Sequence, residues 1–126
     1  MPTIASRCEL EVQRGPDWLL VRIKGFDPDD PDALPLAERI RRLLQQHFTY
    51  RLVLDLDQAP LLNSPLVGQL LDVYRWIEEH DGVMRLCGLS PENRRVLHAY
   101  RLDDQLPPYG DREEAVMGRP HPARPR

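Results

Sequence analysis

The stretch Leu52-Val53-Leu54-Asp55-Leu56 is almost continuously apolar, does not alternate, and stands between two stretches with helical periodicity. A strand of that kind is covered on both faces, because alternation survives only where one face meets water. Before it, Leu36, Ala37, Ile40, Leu43, Leu44 and His47 recur at helical spacing, with Arg39, Arg41, Arg42 and Gln45 opposite. Pro35 fits the first turn of that helix, where its missing N–H costs no hydrogen bond. After it, from about Pro65 to Glu79, Leu66, Val67, Leu70, Leu71, Tyr74 and Ile77 form a second stripe against Gln69, Asp72, Arg75 and Glu79, with Gly82 as the stop. Helix, buried strand and helix in that order are the repeating unit of a parallel sheet.

The flanking segments extend this pattern. Cys8, Leu10 and Val12 alternate with Glu9, Glu11 and Gln13, and beyond the breaker Gly15-Pro16 a second run to Lys24 alternates Leu19, Val21 and Ile23. These runs predict a hairpin. Val83 to Leu89 reads as another strand, Ser90-Pro91 as a cap followed by a first-turn proline, and Val96, Leu97 and Tyr100 as a third helix. The predicted order is ββαβαβα: an α/β fold whose mixed, mostly parallel sheet has about four to five strands with helices packed on it. One domain is expected over residues 1–116. The remaining residues 117–126 are rich in proline and arginine, offer nothing to anchor them to a core, and are expected to be a disordered tail.

Charge narrows the function. The chain has 17 basic and 20 acidic residues, net −3, and Arg119, Arg124 and Arg126 belong to the tail, so residues 1–116 hold 14 basic against 20 acidic. That balance disfavours nucleic acid as a partner. Lys24 is the sole lysine, and Cys8 and Cys87 have no spacing suited to a disulfide framework or zinc. With neither a membrane-spanning apolar run nor a secretory leader pattern, a cytoplasmic location without membrane insertion is expected.

Several ordered landmarks carry a family resemblance. Gly25 and Asp27 close the second strand, Leu52 to Leu56 form the central one, and Asn63-Ser64-Pro65-Leu66-Val67-Gly68 open the next helix. Leu86-Cys87-Gly88-Leu89-Ser90-Pro91, Arg94-Arg95-Val96-Leu97 and Asp111-Arg112-Glu113-Glu114-Ala115 follow. Across roughly Leu10 to Val116 the chain resembles a STAS domain, the anti-sigma-factor-antagonist module. The resemblance implies a regulatory domain, not an enzyme, that takes no cofactor and docks to an anti-sigma factor, often itself a histidine-kinase-like serine kinase. It also implies a phosphoacceptor at the start of the helix after the central strand, in a motif like Asp-Ser-Ser-Gly-Leu. Ser64 occupies that place, while Asn63, Pro65 and Leu66 depart from the motif. The implied contact surface is Asp27 with Asn63, Ser64, Pro65, Leu66 and Gln69. A second role the resemblance allows is that of an unphosphorylated subunit or scaffold in a transporter ATPase or a stress-signalling assembly.

Residue chemistry supplies rival readings. Ser64 before Pro65 is also what a helix N-cap looks like, and capping alone would account for both. A phosphate there would carry about −1.5 to −2 charge against the helix N-terminus, which tolerates it, and would repel a docked partner. Asp55-Leu56-Asp57 after an apolar strand resembles the paired aspartates of a small Asp-dependent phosphatase; the alternative is that Asp55 accepts hydrogen bonds at a strand end and Asp57 is solvated. Asp27, Asp29, Asp30 and Asp32 are interrupted by Pro28 and Pro31 and read as a solvated loop, so no metal site is expected. Trp76 reads as a core-edge residue; were it exposed, a strip from Ser64 through Leu66, Gln69 and Val73 to Trp76 would be the docking surface.

Overall fold

A computed structural model describes residues 8–26 and 35–118. The elements are β1 (Glu9–Arg14), β2 (Leu19–Lys24), α1 (Leu36–Gln46), β3 (Arg51–Asp55), α2 (Ser64–Glu79), β4 (Val83–Cys87), α3 (Pro91–Ala99), β5 (Pro108–Tyr109) and α4 (Arg112–Met117). They form a five-stranded sheet in the order β1-β2-β3-β4-β5. The hairpin pair β1–β2 is antiparallel, with Leu10 opposite Ile23 and Val12 opposite Val21; the other pairings are parallel, aligning Val21, Leu54 and Leu86. Two elements exceed the predicted order, β5 and α4. The last helix ends at Met117, one residue past the expected domain limit, on Gly118 with φ 72°.

The alternation of β2 sorts its side chains cleanly. Leu19, Val21 and Ile23 are fully buried on one face, joined there by Leu52, Leu54, Met84 and Leu86 beneath the stripes of α1 and α2 and Leu97 of α3. The opposite face carries a smaller cluster of Trp18, Val53, Cys87 and Tyr109 under Ala115 of α4. β3 contributes to both, which is why its run does not alternate. Burial pushes the Cys87 thiol up to about 12, so it is an inert core residue. Arg85 Nη1 donates to Ala115 O at 2.8 Å and supplies a donor to the C-terminal end of α4.

Gly82 is required for a reason other than the predicted helix stop. The left-handed residue after α2 is Asp81, φ 58°. Gly82 lies against β3, where an added Cβ would stand 2.2 Å from Tyr50 O. Among the described residues no helix is long and apolar enough to cross a membrane.

Candidate partner-docking site

The parallel strands end at one rim of the sheet, and α2 starts there. Its N-cap is Asn63, whose Oδ1 accepts from Leu66 N at 2.9 Å. Ser64 is therefore the first residue inside the helix and does not cap it, which corrects the capping reading of its hydroxyl. Pro65 follows in the first turn, where it needs no N–H partner. Asn63, Ser64 and Pro65 are all exposed.

Helix α3 holds this corner from the side. Asn93 is 2% exposed. Its side chain accepts from Leu62 N at 2.8 Å and donates to Pro60 O at 3.2 Å, satisfying the loop that leads into α2. Ser90 caps α3 by accepting from Asn93 N at 3.1 Å, which fixes the Asn93 backbone in turn. At the far end of α3, the Tyr100 hydroxyl shares a 2.8 Å hydrogen bond with Ser64 Oγ, in which either oxygen can donate. Two large apolar groups are exposed here, Tyr100 at 46% on Ser64 itself and Leu61 at 60% two residues before the cap. Sequence reasoning missed Leu61, Asn93 and Tyr100 as members of the site.

The other residues of the anticipated surface divide. Leu66 is fully buried under the first turn of α2, so it belongs to the core and offers a partner nothing. Gln69 is half-buried, and its Oε1 accepts from Ala37 N at 2.8 Å. That bond caps α1, which has no capping side chain of its own. Asp27 lies outside the described residues. The strip toward Trp76 does not form, because Val73 is fully buried along with Leu66. Trp76 is half-buried at the opposite end of α2, about 18 Å from Ser64 at helical rise. Its ring lies 5.3 Å from that of Tyr50 and 4.5 Å from that of His80.

Asp55 and Asp57 lie at the same rim but on the α4 face. Asp55, 5% exposed, accepts from Arg112 Nε at 3.0 Å, Arg22 Nη2 at 3.3 Å and Asp57 N at 3.1 Å. Burial raises its carboxyl, but the hydrogen bonds from Arg112, Asp57 and Arg22 outweigh it and hold the group below its usual value. Asp57 is raised by burial and by the neighbouring Asp55 carboxylate, and pairs with Arg22 Nε at 3.1 Å. Arg112 also reaches Gln13, so the cluster ties α4 to β1, β2 and β3. A carboxylate held between two guanidiniums in this way has its lone pairs committed to structure. Among the described residues no group of three His, Cys, Asp or Glu could hold a metal ion. The geometry matches the hydrogen-bonding alternative for Asp55 and gives no support to a phosphatase.

A mixed five-stranded sheet, with helices on its main face and a capped loop-to-helix corner at the rim, defines a small α/β domain presenting an exposed hydroxyl. The chain belongs to the STAS domain family, whose pattern matches residues 9–115. It is 28% identical over 111 residues to an anti-sigma F factor antagonist of Paenibacillus polymyxa, covering 86% of this chain and 90% of that protein. The fold is similar to the crystal structure of an anti-sigma factor antagonist from Mycobacterium paratuberculosis, with TM-score 0.72 and 22% identity, covering 88% of this chain and 92% of that one. It is also similar to the phosphorylated form of the Bacillus cell fate determinant SpoIIAA, with TM-score 0.63 and 17% identity over 87% of this chain and 98% of that one.

Proposed function

We propose that this domain is a non-enzymatic, cytoplasmic regulator of the anti-sigma-factor-antagonist kind. It docks to an anti-sigma factor that is a histidine-kinase-like serine kinase, through the rim made by Asn63, Ser64 and Pro65, extended by Leu61 and Tyr100, with Asp27 as a further contact. Ser64 is its phosphoacceptor. The observation that carries the reading is the exposed Ser64 hydroxyl on the first residue of α2, at the place where the family motif puts its acceptor. A phosphate there stands at the positive end of the α2 dipole, so the domain itself tolerates the charge. The same charge in the middle of a docked surface meets partner carboxylates or apolar groups and drives release.

Affinity capture from the native cell with the wild-type domain and with Ser64→Glu tests this. Wild type retains a serine kinase of that class, and Ser64→Glu loses it; equal retention by both refutes the reading. One observation favours the unphosphorylated scaffold role instead: the Ser64 hydroxyl is engaged by Tyr100 and stiffened by Pro65. Under that role the domain is recovered inside a large assembly, and Ser64→Glu leaves its recovery unchanged.

A further inference from the structure

The two sides of the Ser64 hydroxyl differ in how firmly they are held. On the α2 side the backbone is pinned: Asn63 Oδ1 takes Leu66 N at 2.9 Å, Asn63 O takes Val67 N at 2.8 Å, and buried Asn93 takes Leu62 N at 2.8 Å. On the other side stands Tyr100, the half-exposed C-terminal cap of α3. Next to it Arg101 adopts φ 60°, a left-handed conformation that is uphill for any residue with a Cβ. That turn is closed by Arg101 N to His98 O at 2.9 Å and Leu102 N to Leu97 O at 3.0 Å. One side of the site is therefore pinned by the Asn63 and Asn93 side chains, and the other is an exposed tyrosine ring on a left-handed turn closed by backbone bonds, Tyr100 N to Val96 O at 3.0 Å among them.

We propose that Tyr100 is the positioning residue through which a change at Ser64 is transmitted to the end of α3. The inference rests on Ser64 being the phosphoacceptor. In that step Ser64 Oγ attacks the γ-phosphorus of ATP held by a serine kinase. The Oγ–P bond forms, the bond from that phosphorus to the bridging oxygen of ADP breaks, and the hydroxyl proton passes to the kinase's base. Oγ becomes an ester oxygen with no proton to donate and little power to accept. With the Tyr100 hydroxyl only 2.8 Å from Oγ, a phosphoryl group built on that oxygen crowds the tyrosine. Because Asn63 and Asn93 keep the α2 side from yielding, the displacement falls on Tyr100 and loosens the Arg101–Leu102 turn. A single modification then alters the docking surface over two elements, the start of α2 and the end of α3.

The test installs phosphoserine at position 64 during translation and follows backbone amide exchange in the whole domain. Phosphoserine speeds exchange at Arg101 and Leu102 by about two- to tenfold, the range corresponding to one hydrogen bond of about 0.5–1.5 kcal/mol. Leu66 and Val67 stay protected. Tyr100→Phe with unmodified Ser64 shows the same acceleration, and phosphoserine adds nothing further to it. Unchanged exchange at Arg101 and Leu102 in phosphorylated wild type or in Tyr100→Phe overturns the inference, as does a full phosphoserine effect that persists in Tyr100→Phe. Partner capture by the same phosphoserine protein separates the two ideas. Release without a change in exchange removes the role of Tyr100 alone, and altered exchange without release removes the docking surface alone.

Discussion

Replacing Asn93 by alanine removes one buried side chain that serves two backbone groups of the loop entering α2. Leu62 N, now bonded to Asn93 Oδ1 at 2.8 Å, would be left without a partner beside a side chain that is 3% exposed. A buried donor left unsatisfied costs about 1–3 kcal/mol, and losing the 3.2 Å bond to Pro60 O adds about 0.5–1.5 kcal/mol. Alanine is the better helix former by about 0.6 kcal/mol, which offsets a little of this. The net loss is about 1–4 kcal/mol, within the margin of a typical domain, so the variant still folds. Urea denaturation followed by circular dichroism gives the free energy directly, and the thermal midpoint falls by roughly 10 °C for a chain of this size. Amide exchange at Leu62 rises with it, while Val67 keeps its protection. A loss below about 0.5 kcal/mol, the scale of a surface substitution, would show that Asn93 does not hold this loop.

Acid unfolding reports on Asp55. Its carboxyl is held below the usual value, so the stability it contributes is present above the unfolded-state pKa of about 3.9 and is lost as pH falls through its lower folded value. Asp57 is raised and opposes this, its contribution being lost as pH rises. Asp55→Asn is therefore less stable than wild type at neutral pH, and urea midpoints of the two converge as the medium is made strongly acidic. Gln69→Ala strips the acceptor from Ala37 N and lowers stability by about 1 kcal/mol, as loss of a helix cap does, read as a drop in thermal midpoint. Gly82→Ala forces a Cβ toward Tyr50 O and costs about 1–3 kcal/mol or prevents folding, read from soluble yield and melting.

The parts of the fold that were legible in the sequence are those whose pattern is set by burial. Alternation in β2 and its absence in β3 followed directly from one sheet face being covered and then two. In α2 the expected Leu66, Val67, Leu70 and Ile77 are buried, but Val73 takes the place given to Tyr74, and Leu71 and Tyr74 are half-buried. β5 has two residues, too few to show any period. α4 did leave a signal, since Asp111 and Glu114 are spaced as a capping box and Asp111 Oδ1 accepts from Glu114 N at 2.9 Å.

At the site itself, Asn63 and Ser64 are adjacent capping residues before a proline, and local propensity does not decide between them. The structure gives the cap to Asn63 and leaves the serine hydroxyl to bond Tyr100. Leu66 and Gln69 were assigned to the surface by their nearness to Ser64 in sequence. A helix turns them inward or sideways, to the core and to the N-terminus of α1. Tyr100 is 36 residues from Ser64, and no periodicity, motif or charge pattern in a single chain announces a contact of that separation.

The most direct measurement of the central claim is the intact mass of the domain after incubation with ATP and the kinase it captures. The account predicts that wild type gains one phosphate and that Ser64→Ala gains none. A mass that never changes, or a phosphate that Ser64→Ala still acquires, contradicts it.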